Sequence, residues 1–118
     1  MNDPEVSTPL DHADLERSCL GDVSFEKELL AEFLDSSGGM LAALSGAVAA
    51  SDPTQVHLAA HSLKGCCWTI GARAMGAECE KLEFEARAGG LQGADGMVAR
   101  IHELAAQLDA YVRRHWGL

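Results

Sequence analysis

A chain of 118 residues is long enough for one compact domain with its own core. Hydrophobic residues make up 47% of it and aromatic residues only 5%, with alanine abundant, which favours closely packed helices over a β-sandwich. The formal charge of −9 excludes nucleic acid and anionic membrane surfaces as natural partners.

The charge is uneven. Residues 1–50 hold 10 acidic and 2 basic side chains, a net of −8, whereas residues 51–118 hold 8 and 7, a net of −1. Residues 1–9 contain Pro4, Pro9 and several polar residues and are expected to form a flexible lead-in to a domain over 10–118. They lack the basic start and apolar stretch of a signal peptide, and no run of 18 apolar residues follows, so a cytoplasmic protein without a membrane span is expected. Met1 and the compact length favour a free-standing protein.

A short helix fits residues 11–20, ahead of Gly21. A second begins near Ser24, where Phe25, Leu29, Phe33, Leu41, Leu44 and Val48 follow a helical period. Asp35-Ser36-Ser37-Gly38-Gly39 weakens its middle, but periodicity resumes at Met40 without a proline, so one long helix is expected. Asp52-Pro53-Thr54-Gln55 is a helix start: Asp52 caps, Pro53 suits the first position and Gln55 completes a capping box. This helix runs to about Ile70, where Gly71 can stop it. Met75, Cys79, Leu82 and Ala86 mark a fourth helix, ended by Gly89-Gly90, and Met97 to Val112 a fifth. No segment shows the period of a strand. Short connections imply antiparallel neighbours, hence an all-α, up-and-down four-helix bundle with a short additional N-terminal helix.

On the helix from Pro53 to Ile70, at about 100° per residue, Val56, Ala59, Ala60, Leu63, Cys66, Cys67 and Ile70 form the apolar side. His61 lies on the opposite face, with His57, Lys64, Gly65 and Trp68 beside it. A neutral imidazole nitrogen is a nucleophile toward phosphorus. Lys64, one turn away, can offset the charge of a phosphorylated ring. Gly65, unfavourable inside a helix, would let another protein approach the ring closely.

The segment Ala60-His61-Ser62-Leu63-Lys64-Gly65, followed by Ile70-Gly71-Ala72, resembles the signature of histidine-containing phosphotransfer (HPt) domains. The stretch Cys79-Glu80-Lys81-Leu82-Glu83-Phe84-Glu85-Ala86-Arg87-Ala88-Gly89 looks like that family's next helix, and the segment with Leu30, Phe33 and Leu34 is similar to its first bundle helix. The resemblance spans roughly residues 22–115. It implies that His61 takes a phosphoryl group from a receiver-domain phosphoaspartate and passes it to another receiver, with Lys64 and Gly65 in supporting positions. Arg87 matches a basic position that holds the phosphate or docks the receiver. The expected partners are receiver domains of response regulators or hybrid histidine kinases, approached by a monomer.

Position 68 is usually small in the family, and Trp68 departs from that. It can serve docking together with His57 and Leu58, restrict which receivers fit, or cover the helix end. The chain has no glycine-rich nucleotide loop and no acidic cluster on the His61 face, so a receiver would supply the magnesium and the chain needs no cofactor of its own. The alternative is a module that binds receivers or kinases without carrying phosphate. His57 and His61 have a spacing that can hold zinc, yet no third ligand is evident and no metal site is expected. Cys66 and Cys67 raise a redox reading, but both fall toward the apolar side and read as core.

Overall fold

The computed structural model describes residues 8–118. They form five helices and, among the described residues, no strand: α1 (His12–Ser18), α2 (Val23–Ala49), α3 (Pro53–Ile70), α4 (Arg73–Arg87) and α5 (Ala94–Trp116). Most of the proposed lead-in, residues 1–7, lies outside the described residues. Leu10 is already fully buried.

Local chemistry sets the helix ends. Asp11, Asp22 and Asp52 each accept a hydrogen bond from the backbone N–H three residues on, at Asp14, Phe25 and Gln55, and so start α1, α2 and α3. Helix α2 runs unbroken through Gly38-Gly39, where the Ser36 and Ser37 hydroxyls donate back to carbonyls of the preceding turn. Its buried side comes from Leu30, Phe33, Leu44 and Ala47, so tertiary packing carries the helix across its weak middle.

Helices α2, α3, α4 and α5 pack in a ring of neighbours, and α1 lies against α2 and α3. Val56, Leu63, Cys67, Cys79, Leu82, Ile101 and Leu108 are almost entirely enclosed in the shared core. Gly71 ends α3 in the left-handed conformation, with φ at 83°. A Cβ there would come within 2.5 Å of the Asp11 carbonyl oxygen, so the position admits only glycine on two counts. The Asp11 N–H donates to the Gly71 carbonyl at 2.8 Å. The Arg73 guanidinium, at the start of α4, holds Asp14 of α1 through Nε at 2.6 Å and a second N–H at 2.8 Å. Together these contacts fasten α1 over the α3–α4 turn.

The hydrogen bonds from Arg73 hold the Asp14 carboxyl below the usual carboxylate range; partial burial opposes this, and the charges of Arg73 and Arg17 reinforce it. A depressed carboxyl pKa contributes stability that is present above the unfolded value of about 3.9 and is lost as pH falls through the folded value. Asp14→Asn should lower the melting temperature by a few degrees at pH 7, the effect of about 1 kcal/mol for a partly exposed pair. The gap to the wild-type protein should narrow as pH falls below the unfolded carboxyl value, in thermal melts followed by circular dichroism.

Candidate functional site

The α3 helix presents His61 on its solvent side, as its period requires, with 64% of the side chain exposed. The residues that meet it come from α4. Going backward along α3, Trp68, Lys64 and His61 are four and three residues apart; going forward along α4, Gly76, Glu80 and Glu83 have the same spacing. The two helices run in opposite directions, so these residues pair in order. The Trp68 ring lies over Gly76, where an added Cβ would come within 3.3 Å of the ring and of the Cys67 Cβ. Lys64 Nζ lies 3.9 Å from Glu80 Oε2, and His61 Nδ1 lies 2.7 Å from Glu83 Oε2.

Glu83 is the centre of the group. Its side chain is only 6% exposed, and its second oxygen, Oε1, accepts from Lys64 Nζ at 2.6 Å. Burial pushes the Glu83 carboxyl up, but hydrogen bonds from Lys64 and His61, aided by their charge, outweigh it and hold the group below the usual range. An ionised carboxylate only accepts. His61 Nδ1 must therefore carry a proton, and in the neutral ring the lone pair sits on Nε2. Arg87 reaches toward the same carboxylate at 3.9 Å and is otherwise exposed.

The remaining sequence candidates fall around this centre. The His57 ring stacks near-parallel to His61, 6.2 Å between centroids, with Nδ1 enclosed and without a hydrogen-bond partner among the described residues. Leu58 is 52% exposed on the same helix. Trp68 is covered on the α4 side and 42% exposed on the other, two turns from His61. An added Cβ at Gly65 would meet nothing within 4 Å, so the space beside the ring opens to solvent. Among the described residues no three His, Cys, Asp or Glu side chains are grouped to hold a metal. Cys67 and Cys79 are enclosed in the core, and their mutual hydrogen bond and burial push the Cys67 thiol up, away from a reactive thiolate.

A family model for the Hpt domain matches residues 28–111, a span that contains both His61 and Glu83. The chain belongs to the Hpt family. Among solved structures, histidine-containing phosphotransfer protein B (HptB) from Pseudomonas aeruginosa PAO1 matches with a TM-score of 0.87 and 26% sequence identity, over 94% of this chain and 96% of that one. No curated protein matches the chain. Family and fold agree on histidine phosphotransfer in phosphorelay signalling. No helix among the described residues of this Hpt domain is long and apolar enough to cross a membrane.

Sequence reasoning placed His61, Lys64 and Gly65 together but assigned no role to Glu83 or Glu80. It expected no acidic cluster on the His61 face, which is true of α3 alone; α4 brings both carboxylates to that face. The detectable signal was the matched four-and-three spacing of the two helices, with Glu83 falling on the otherwise apolar side of α4. Gly65→Ala should stabilise the isolated Hpt domain by about 1 kcal/mol, since the helix gains a better former and the methyl group meets open space. Its transfer rate with a receiver should nevertheless fall, a split that paired melting and transfer measurements would reveal.

Proposed function

We propose that His61 is the residue that carries the phosphoryl group, through Nε2, between receiver-domain aspartates. One observation carries this reading: an exposed imidazole whose Nδ1 is tied to a buried carboxylate, which leaves the other nitrogen unencumbered toward solvent. A fixed tautomer and ring orientation lower the entropy of attack on phosphorus. Lys64 neutralises part of the added charge, and Gly65 keeps the approach to the ring clear. Arg87, Leu58, His57 and the exposed edge of Trp68 form the docking rim.

The bundle on which this rests is an up-and-down four-helix bundle of α2 to α5 with α1 as an added helix, in a domain over residues 10–118. It acts as a cytoplasmic monomer on receiver domains of response regulators or hybrid kinases. The receiver brings the aspartate and its magnesium, so this chain provides the nucleophile, its orientation and a docking surface. The non-phosphorylated binding reading drew on Trp68. Its packing over Gly76 accounts for that residue without closing off His61, and this favours the carrier reading.

With a panel of phosphorylated receivers, the wild-type protein should gain the mass of one phosphoryl group, acid-labile and alkali-stable, mapped to His61. His61→Gln should abolish the gain and keep the helical spectrum. Lys64→Ala should slow transfer about tenfold, the kinetic equivalent of one charge-assisted hydrogen bond of about 1.4 kcal/mol. Retained receiver binding with no transfer from any donor would assign the domain to binding alone.

A further inference from the structure

We propose that Glu83 is a positioning residue for the phosphorylated state: its carboxylate keeps the proton on His61 Nδ1 after Nε2 has been phosphorylated, so that the ring stays a phosphoimidazolium poised to give the phosphoryl group up. The inference rests on phosphorylation of His61 and adds what decides the fate of the product.

The bond changes define the role. In the loading step the Nε2 lone pair bonds to phosphorus while the bond from phosphorus to the donor oxygen breaks, and the donor leaves with that electron pair. Nδ1 keeps its proton throughout, so the ring acquires a positive charge. In the unloading step the N–P electron pair returns to Nε2 and the ring leaves as neutral imidazole. If Nδ1 lost its proton in between, the leaving group would be an imidazolate, a far poorer one. The charge state of Nδ1 therefore separates a phosphoryl group ready for transfer from one that is stored.

The geometry favours the first. Glu83 Oε2 lies 2.7 Å from Nδ1, and the carboxylate is almost fully enclosed between α3 and α4. A negative charge at this distance stabilises a cationic ring, more so in a partly desolvated site. Lys64 fixes the other oxygen at 2.6 Å and helps keep the carboxylate ionised, so that it accepts the hydrogen bond without removing the proton. The titratable and charged groups around the ring are His57 and Lys64 on α3, and Glu80, Glu83 and Arg87 on α4. The second half of α2, which packs against α3, contains no charged residue over 41–49. Of these groups only Glu83 touches Nδ1.

The test loads His61 chemically with potassium phosphoramidate, which makes it independent of any receiver. Nitrogen-15 spectra of the phosphorylated wild-type ring, followed against pH, report the Nδ1 proton directly. That proton should persist to a pH about one unit higher in the folded protein than in the same phosphorylated chain unfolded in urea. Glu83→Gln should remove the difference. Above neutral pH it should also lengthen the half-life of the phosphohistidine and slow its discharge several-fold, up to about tenfold where the proton is lost. The inference is overturned if the folded and unfolded chains titrate alike, or if Glu83→Gln folds and discharges with the wild-type pH profile. It is equally overturned if phosphoramidate does not modify His61. The wild-type titration decides even where the variant does not fold. A wild-type protein that shows the raised titration but takes no phosphate from any receiver would instead overturn the relay reading alone.

Discussion

A carboxylate buried between two helices organises the functional face of this protein. Glu83 carries a full charge in a site from which water is nearly excluded, a placement that is costly unless every lone pair finds a partner. Here both oxygens are engaged, one by His61 and one by Lys64, with Arg87 at longer range. The three groups hold one another: Glu83 orients the imidazole, and the two donors keep Glu83 ionised.

That arrangement depends on how closely α3 and α4 approach. Trp68 lies over Gly76 at one end, where an added Cβ would come within 3.3 Å of the ring and of the Cys67 Cβ, closer than ordinary packing. Over the next two steps the same register brings Lys64 to Glu80 and then His61 to Glu83. The α3–α4 turn is itself held by Gly71 in a left-handed conformation and by the Arg73–Asp14 and Asp11–Gly71 contacts with α1. The small N-terminal helix thus braces the pair of helices on which the chemistry sits.

Charge is unevenly distributed along the helices. The acidic residues of α2 are Glu26, Glu28, Glu32 and Asp35, in its first half. That half runs alongside the C-terminal end of α3: Leu29, Glu32, Phe33 and Ser36 line one small cavity with Cys66, Thr69 and Ile70. His61 lies farther back on α3, where Lys64 and Arg87 stand against the carboxylates of Glu80 and Glu83. The strongly negative total therefore does not describe the charges around the ring, where two cations stand against two carboxylates.

Residues 12–116 could be divided into helices from the sequence because the signals are local: Asp11, Asp22 and Asp52 satisfy N–H groups three residues away, Gly71 stops α3, and the apolar period marks each buried stripe. The exposure of His61 and its closeness to Lys64 and Gly65 were legible for the same reason, since one helix turn fixes both. Glu83 was not. It stands 22 residues from His61, and only the register and separation of α3 and α4 decide that these two side chains meet. The Trp68 environment belongs with it, since the sequence left three roles open and the packing over Gly76 is a contact between helices. By itself the sequence determined which residues form helices and which histidine faces water, because hydrogen bonds and periodicity within a helix are enough. The tertiary structure alone decided which nitrogen of that histidine is free, because the proton on the other is held by a carboxylate from a different helix.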